Sequence, residues 1–316
     1  MAHQVEVLIL TSDLDFATDR VCRELTRRGR KFLRLNREQL GDVLLALDPT
    51  EPRLTCRHDG RTWTVGSELR SVWWRQGTFD RNVAGNGAEV EDQLQRSQWS
   101  AFMRSMMVFD DARWFNCPSA VYRAEIKALQ LAAAAEVGFD VPRTVMTNDP
   151  DINPPAADGL PVAIKSVDTL LLRDGPDQLF GYTSIMDWKD AALPELTAAL
   201  TVQQALMNKL DLRVTVVEDR LWCTSIKRAG EGIEVDWRLT GKDQLEIVDH
   251  VLSDEDANRC REFVARLGLR YGAIDLAVAA GRSWFIEINP TGEWGWVDGE
   301  TRPIAAAIAV ALSCSR

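Results

Sequence analysis

The segment AIDLAVAAGRSWFIEINPTGEWGW, Ala273 to Trp296, constrains the fold more than any other part of the chain. Read with period two, Ile274, Leu276 and Val278 alternate with Asp275, Ala277 and Ala279. After a turn at Gly281, Trp284, Ile286 and Ile288 alternate with Phe285, Glu287 and Asn289. Alternation on both sides of a turn signal predicts a hairpin with one apolar face. A turn centred near Gly281 puts Asp275 directly opposite Glu287, with Asn289 two residues on and on the same face. Like charges directly opposite one another destabilise a sheet. Either both acids face solvent, or a cation held by oxygen ligands neutralises them, and a divalent metal is the simplest such cation.

The rest of the chain supplies the layers this hairpin must join. VEVLILTS reads as a buried first strand, DLDFATDRVCRELTRRG as a helix stopped at Gly29, and KFLRLN as a second strand. This β-α-β opening lacks a G-x-G-x-x-G turn, so it does not support a dinucleotide site. RLTCRHDGRTWTV is a hairpin around Asp59-Gly60, LRSVWWRQG a strand, and VEDQLQRSQWSAFMRSMMVF a long helix. NCPSAVYR then breaks the pattern, and a domain boundary is expected near Phe115. The second part has a helix over RAEIKALQLAAAAEVG, a strand VPRTVMT and a Pro- and Asp-rich loop NDPDINPPAADGLP. After these come a strand VAIKSV ending in Lys165, a loop LRDGPDQLFGY and a strand TSIM. The third part holds the hairpin DLRVTVVEDRLWCTSIKR, a short strand VDWR, a helix from Asp254 to Leu267, the acidic hairpin and a closing alanine-rich helix. The mixture predicts an α/β or α+β architecture in three pieces, 1–115, 116–200 and 201–316.

Composition excludes several function classes. The net charge of −10 argues against an extended nucleic-acid surface. The six cysteines are scattered with no C-x-x-C pair, and none of the three histidines lies near one. A zinc site or disulfide framework is therefore not expected, and a reduced cytoplasm fits best. MAHQVEVLILTSDLD has no basic region before its apolar run, unlike a secretion signal. PIAAAIAVAL is too short to span a bilayer.

Other chemistry-bearing residues are individually ordinary. With a turn near Asp219, Asp211 falls opposite Lys227 and Arg213 opposite Ser225, a pattern that a cross-strand ion pair also explains. Asp236 and Arg238 alternate on a strand. Lys127 sits on a helix and Lys165 at a strand end. Trp294 and Trp296, among glycines, either wall a pocket or pack in the core.

In order, however, lysine on a helix, VPRT, lysine on a strand, DLRV, DWR and D…E-x-N-P resemble the ATP-grasp superfamily. VWWR, DLRVTVV and NPTGEWGW make the chain similar to its ribosomal-peptide maturases of the microviridin (graspetide) type. The resemblance implies an ATP-grasp fold with an N-terminal pre-ATP-grasp β-α-β domain. It implies a ligase using ATP and Mg2+ (or Mn2+) to activate Asp or Glu side chains of a leader-bound ribosomal precursor peptide as acyl phosphates. Ser, Thr or Lys side chains would then attack to give esters or amides. Lys127 and Lys165 would reach the phosphates. Gln203, Gln204, Ala205 and Leu206 would meet adenine through the backbone, and Asp211 would lie near the ribose. Arg238, with Arg213 and Lys227, would serve the transfer, and Asp275, Glu287 and Asn289 would hold the metal. Arg75, Arg213 and Arg238 would gather in the cleft to receive the peptide. The family also allows a homodimer. Gln204 replaces its usual acidic hinge residue, Gln76 stands where a second arginine is common, and only Gly175 and Gly181 mark the phosphate lid. The rivals are a ligase for small amino acids or a protein tail, and a non-catalytic nucleotide-binding protein.

Overall fold

The computed structural model describes residues 2–76, 90–149, 151–152, 160–168, 171–174, 177–188, 198–233 and 236–314. Most of the Pro- and Asp-rich loop, the lid glycine Gly175 and Val235 of VDWR lie outside them.

The expected first strand is two. β1 (His3–Val5) and β2 (Val7–Thr11) join different sheets. α1 (Phe16–Arg27) follows, capped by the Asp15 side chain, and β3 (Phe32–Asn36) closes the β-α-β unit. β4 (Leu44–Asp48), β5 (Arg53–His58) and β6 (Arg61–Val65) form a meander, with Asp59 and Gly60 both at positive φ in the β5–β6 turn. β7 (Ser71–Trp74), α2 (Val90–Ser105) and β8 (Arg113–Phe115) complete this part. Its two sheets run β1-β6-β5-β4 and β3-β2-β7-β8, the second entirely parallel.

The first helix of the second part starts earlier than expected. α3 (Pro118–Glu125) begins inside NCPSAVYR, with Pro118 at a first-turn position where its missing N–H costs nothing. The predicted continuous helix breaks at Ile126, whose backbone is extended, and α4 (Lys127–Glu136) starts afresh. Buried Gln130 holds the break. Its amide donates to the Ala124 carbonyl (2.6 Å) and the Ile288 carbonyl (2.9 Å) and accepts from the Ile288 N–H (3.1 Å). One side chain thus satisfies a helix-end carbonyl and two backbone groups on a sheet edge.

β9 (Thr144–Thr147) and β10 (Val162–Ser166) follow. The segment read as a loop is a hairpin, β11 (Leu171–Asp174) with β12 (Asp177–Phe180). Its strands are too short to show a period-two pattern. With β13 (Ser184–Met186) and β14 (Leu200–Gln204), the central sheet runs β13-β10-β14-β9 and is antiparallel.

β15 (Leu210–Val217), β16 (Arg220–Lys227), β17 (Glu246–Asp249), β18 (Tyr271–Ala279) and β19 (Arg282–Asn289) form a five-stranded antiparallel sheet, ordered β17-β16-β15-β18-β19. The described residues of VDWR are not a strand: Asp236 caps a 3-10 turn over Trp237–Leu239. α5 (Asp254–Arg266) covers one sheet face, where Leu212, Val214, Ile274, Phe285 and Ile288 pack with Phe263 and Val264. The packing is not sequential. α3 and α4 lie against β19, β14 crosses position 200, and the closing helix α6 (Ile304–Ser313) packs on α1 beside β2 and β7. The Ser71 hydroxyl donates to the Leu312 carbonyl at 2.6 Å.

Candidate active site

The uncovered face of the five-stranded sheet looks toward the central sheet across a cleft. One end has a volume of about 750 Å³, bounded by Ala163, Ile185, Gln203, Gln204, Leu206, Asp211, Leu276 and Ile286. An adjoining space of about 590 Å³ is lined by Lys127, Met146, Ser166 and Thr201. Lys165, Thr183, Arg238, Ile286 and Glu287 line both, so the two are one continuous cleft.

Asp275 and Glu287 do face each other, by a route other than the one expected. The β18–β19 turn is a two-residue turn, Ala280-Gly281, both at positive φ, with Ala279 opposite Arg282. Continued regularly, that register would set Asp275 opposite Ile286. A bulge between the Asp275 and Leu276 pairings shifts it by one, leaving Ile286 unopposed and Glu287 across from Asp275. The bulge also corrects the faces. Phe285 and Ile288 enter the core, while Ile286 and Glu287 both line the cleft.

The β15–β16 register is one residue away from that expected. Asp211 lies opposite Ile226 and Arg213 opposite Thr224. A one-residue slip moves a side chain to the other face, so Lys227 points away from the face that carries Asp211 and pairs in register with Glu246. It is not brought to the cleft. Asp211 is partnered by Lys209, the residue just before β15, which the same period-two reading could have found. Burial raises the Asp211 pKa, against the pull of Lys209.

Each acid at the floor meets a cation from a different element. Lys127, at the first position of α4, donates to Glu287 at 2.7 Å. Burial works against the charge on Glu287, but Lys127, then Arg238 and Lys165, outweigh it and hold its pKa low. Asp275 goes the other way: burial raises it, Arg213 opposes, and the Glu287 charge adds to the rise. The two acids therefore differ, with Glu287 keeping its charge. Arg213 Nε lies 3.0 Å from Asp275 Oδ1. The pair is out of line, and neither buried atom has a hydrogen-bond partner among the described residues. Arg238 grips Asp236 through Nε (2.8 Å) and Nη2 (2.7 Å), and its Nη1 is 4.0 Å from Glu287. Its side chain is 49% exposed, so the outer guanidinium edge is open to the cleft.

On the central sheet, Lys165 donates to the Gln203 side chain (2.9 Å), which donates to the Thr144 hydroxyl (2.7 Å). Burial pushes the Lys165 ammonium below the usual lysine range. Glu287 opposes this, and Lys127 and Arg238 reinforce it. Gln204 and Leu206 line the cleft at its apolar end. Ala205 donates its N–H to the Pro161 carbonyl at 3.3 Å.

Arg75 is not among the cleft arginines. It is 2% exposed, with Nε 3.2 Å from Asp15 and Nη2 2.9 Å from Glu293, and it also donates to the Thr291 carbonyl. It ties the N-terminal domain to the loop after Asn289. Asn289 faces the same side as Glu287, and its amide oxygen accepts from the Thr291 N–H at 3.1 Å. The tryptophan alternatives divide: Trp294 is wholly buried in the core, while Trp296 is 37% exposed. The Trp296 ring packs at a tilt against Trp237 (5.8 Å, 40°), and the Arg213 guanidinium lies 5.5 Å from the Trp296 ring centre. Trp237 gave no sequence signal, because its partner is remote in the chain.

Among the described residues no three His, Cys, Asp or Glu side chains converge as a metal cluster. Two carboxylates and an amide oxygen on one sheet face are instead a partial set. They suit a hard divalent cation that takes its remaining oxygens from a bound phosphate. The orphaned Oδ1 of Asp275 fits that use.

No family model and no curated protein matches the chain. Solved structures do. A RiPP-associated ATP-grasp ligase of Chryseobacterium gregarium, in complex with ADP and a leader and core peptide, superposes with a TM-score of 0.82 at 21% identity. The match covers 98% of this chain and 96% of that one. The fold is that of the ATP-grasp ligases. Macrocyclase MdnC of Microcystis aeruginosa, bound with precursor peptide MdnA, matches at 0.79 and 22%, over 98% and 99% of the two chains. Macrocyclase MdnB from the same organism matches at 0.74 and 24%, again over 98% and 99%. The expected ATP-grasp architecture is therefore present along essentially the whole chain. Among the described residues no helix is long and apolar enough to cross a membrane.

Proposed function

We propose that the protein is a cytoplasmic, ADP-forming ATP-grasp ligase. It activates Asp or Glu side chains of a ribosomal precursor peptide and joins them to Ser, Thr or Lys side chains as esters or amides. One observation carries this reading: the whole chain shares its fold with ligases solved on leader and core peptides, and its cleft gathers Lys127, Lys165, Arg238, Asp275 and Glu287 in one place.

The residues assign as follows. Adenine lies at the apolar end against Gln203–Leu206, Leu276 and Ile286, with Asp211 toward the ribose. The triphosphate runs toward Lys127, Lys165 and Arg238. Asp275, Glu287 and Asn289 hold Mg2+, which when bound offsets charge on the phosphate oxygens. Lys127 and Arg213, which pair with Glu287 and Asp275, would bring positive charge to phosphate and substrate. Phosphoryl transfer asks the protein mainly for positioning and charge neutralisation, and such groups dominate this cleft. Lys227, on the opposite face, has no part in it.

Two measurements test the reading. Incubation with the precursor peptide and ATP should remove one water from the peptide per bond formed and give ADP and phosphate in equal number. AMP with pyrophosphate would exclude the route. Separately, Lys165→Ala should weaken ATP binding by about tenfold or more, the loss of one charge-assisted contact of about 1.5–3 kcal/mol. Unchanged ATP affinity by calorimetry would return Lys165 to a structural role beside Gln203.

A further inference from the structure

VPRT, residues 141–144, lines neither space of the cleft, yet its threonine connects to a cleft lysine through a single intermediary. β10, β14 and β9 are successive neighbours in the central sheet. Gln203 on β14 lies directly opposite Thr144 on β9 and Ala163 on β10. Side chains two residues apart on a strand share a face, so Lys165, Gln203 and Thr144 form one row across three strands. The step from Gln203 to Lys165 is diagonal, because Lys165 itself pairs with Thr201. Long side chains span that diagonal.

The row is a hydrogen-bond chain with a fixed direction. The Thr144 hydroxyl donates to the Pro142 carbonyl at 2.7 Å. A carbonyl only accepts, so the single proton of the hydroxyl is committed there. The hydroxyl oxygen is left to accept, and it receives the Gln203 side-chain N–H at 2.7 Å. The amide oxygen of Gln203 is thereby turned toward Lys165, which donates to it at 2.9 Å. The far end agrees, because an ammonium has donors and no acceptor. A chain running from an acceptor-only carbonyl to a donor-only ammonium has one self-consistent arrangement. Gln203 is 4% exposed, so water does not compete for its amide. The Gln204 N–H donates to the Arg143 carbonyl at 2.8 Å, which keeps VPRT in register with β14 at this point.

The two cleft lysines are therefore held differently. Lys127 pairs with the Glu287 carboxylate at 2.7 Å, which offsets its charge. Lys165 is held by a neutral amide oxygen, which fixes the place of the ammonium without cancelling its charge. Burial opposes that charge, and an oxygen aimed at the charged form supports it.

We propose that Thr144 and Gln203 are positioning residues that hold the Lys165 ammonium, its charge uncancelled, where an ATP phosphate meets it, and that the Pro142 carbonyl sets the direction of the chain. This rests on the ligase reading above and assigns VPRT its part in that site. Thr144 acts on the nucleotide only through Gln203 and Lys165.

Calorimetry of the full chain with ATP and magnesium tests this. Thr144→Val keeps the side-chain shape and suits a strand. It should weaken ATP binding about three- to tenfold, the fold-change that one net hydrogen bond contributes. Thr144→Ser keeps the hydroxyl and should stay within about twofold of wild type. In a Lys165→Ala background, Thr144→Val should weaken ATP by no more than about a further twofold, because the group it positions is gone. Gln203→Glu should grip the lysine more tightly yet weaken ATP about tenfold or more, since the carboxylate cancels the charge that phosphate would meet. Thermal unfolding checks that each variant folds. If Thr144→Val does not, the isosteric Gln203→Glu carries the test. Wild-type affinity in Thr144→Val or in Gln203→Glu overturns the inference. So does an undiminished effect of Thr144→Val in the Lys165→Ala background. The ligase reading survives all three. Unchanged affinity in Lys165→Ala removes that lysine from the nucleotide site and the inference with it. No ATP binding by the wild-type protein sinks the ligase reading itself.

Discussion

Glu287→Gln should lower peptide-dependent ADP formation about 100-fold or more while the protein keeps its fold, because removal of one group that stabilises transition-state charge commonly costs that much. Of the facing pair, Glu287 is the acid that keeps its charge, held low by Lys127, Arg238 and Lys165 against the effect of burial. Glutamine fills the same volume and presents an oxygen, but it carries no charge to hold the cation or order Lys127. The control is built in. Glu287 lies in the cleft, away from the packed core, so thermal unfolding and circular dichroism should match wild type. Near-normal turnover at saturating magnesium would remove Glu287 from the metal site.

Arg75→Met should destabilise the protein by about 3 kcal/mol, the usual cost of leaving a buried charge without its partner. The Asp15 side chain is fully buried. With Arg75 gone it keeps only the Thr11 and Thr18 hydroxyls, at 2.9 and 2.6 Å, and its cap to the Thr18 N–H at 3.4 Å. Chemical denaturation should show the loss as a lower midpoint with a similar slope. Adding Asp15→Asn should recover part of it, since the amide can keep the threonine contacts without a charge. Identical midpoints for wild type and Arg75→Met would show that Arg75 is dispensable. Because Arg75 also fixes the loop after Asn289, the variant should need more magnesium for half-maximal turnover.

How much of this was legible depended on whether a signal was local. The Asp275–Glu287 pairing was readable because strand alternation is. Yet it came out right through two offsetting departures, a tighter turn and a bulge, neither of which alternation reports. The β15–β16 hairpin had no bulge to compensate, so the same kind of one-residue offset sent Lys227 to the wrong face. Lys127 and Lys165 were recognisable only through their order along the chain, since a lone lysine carries no local signal. Asp236 and Arg238 do not alternate on a strand: so short a segment fits a strand and a capped 3-10 turn equally well. The Arg75 latch, the tilted Trp237–Trp296 contact and the Gln130 tether join residues far apart in sequence, and no periodicity encodes such contacts.

The packing of α6 on α1 also sets a timetable. The first strand pair and its helix emerge from the ribosome early, but the cluster that holds Val7, Ile9, Val21 and Leu25 also contains Ile304, Ile308 and Leu312. That cluster cannot close until the residues of α6 have been synthesised. Through most of translation the N-terminal sheet must carry an open apolar face, the kind of exposed surface that chaperones bind. The apparently simplest unit of the chain is thus among the last to be finished.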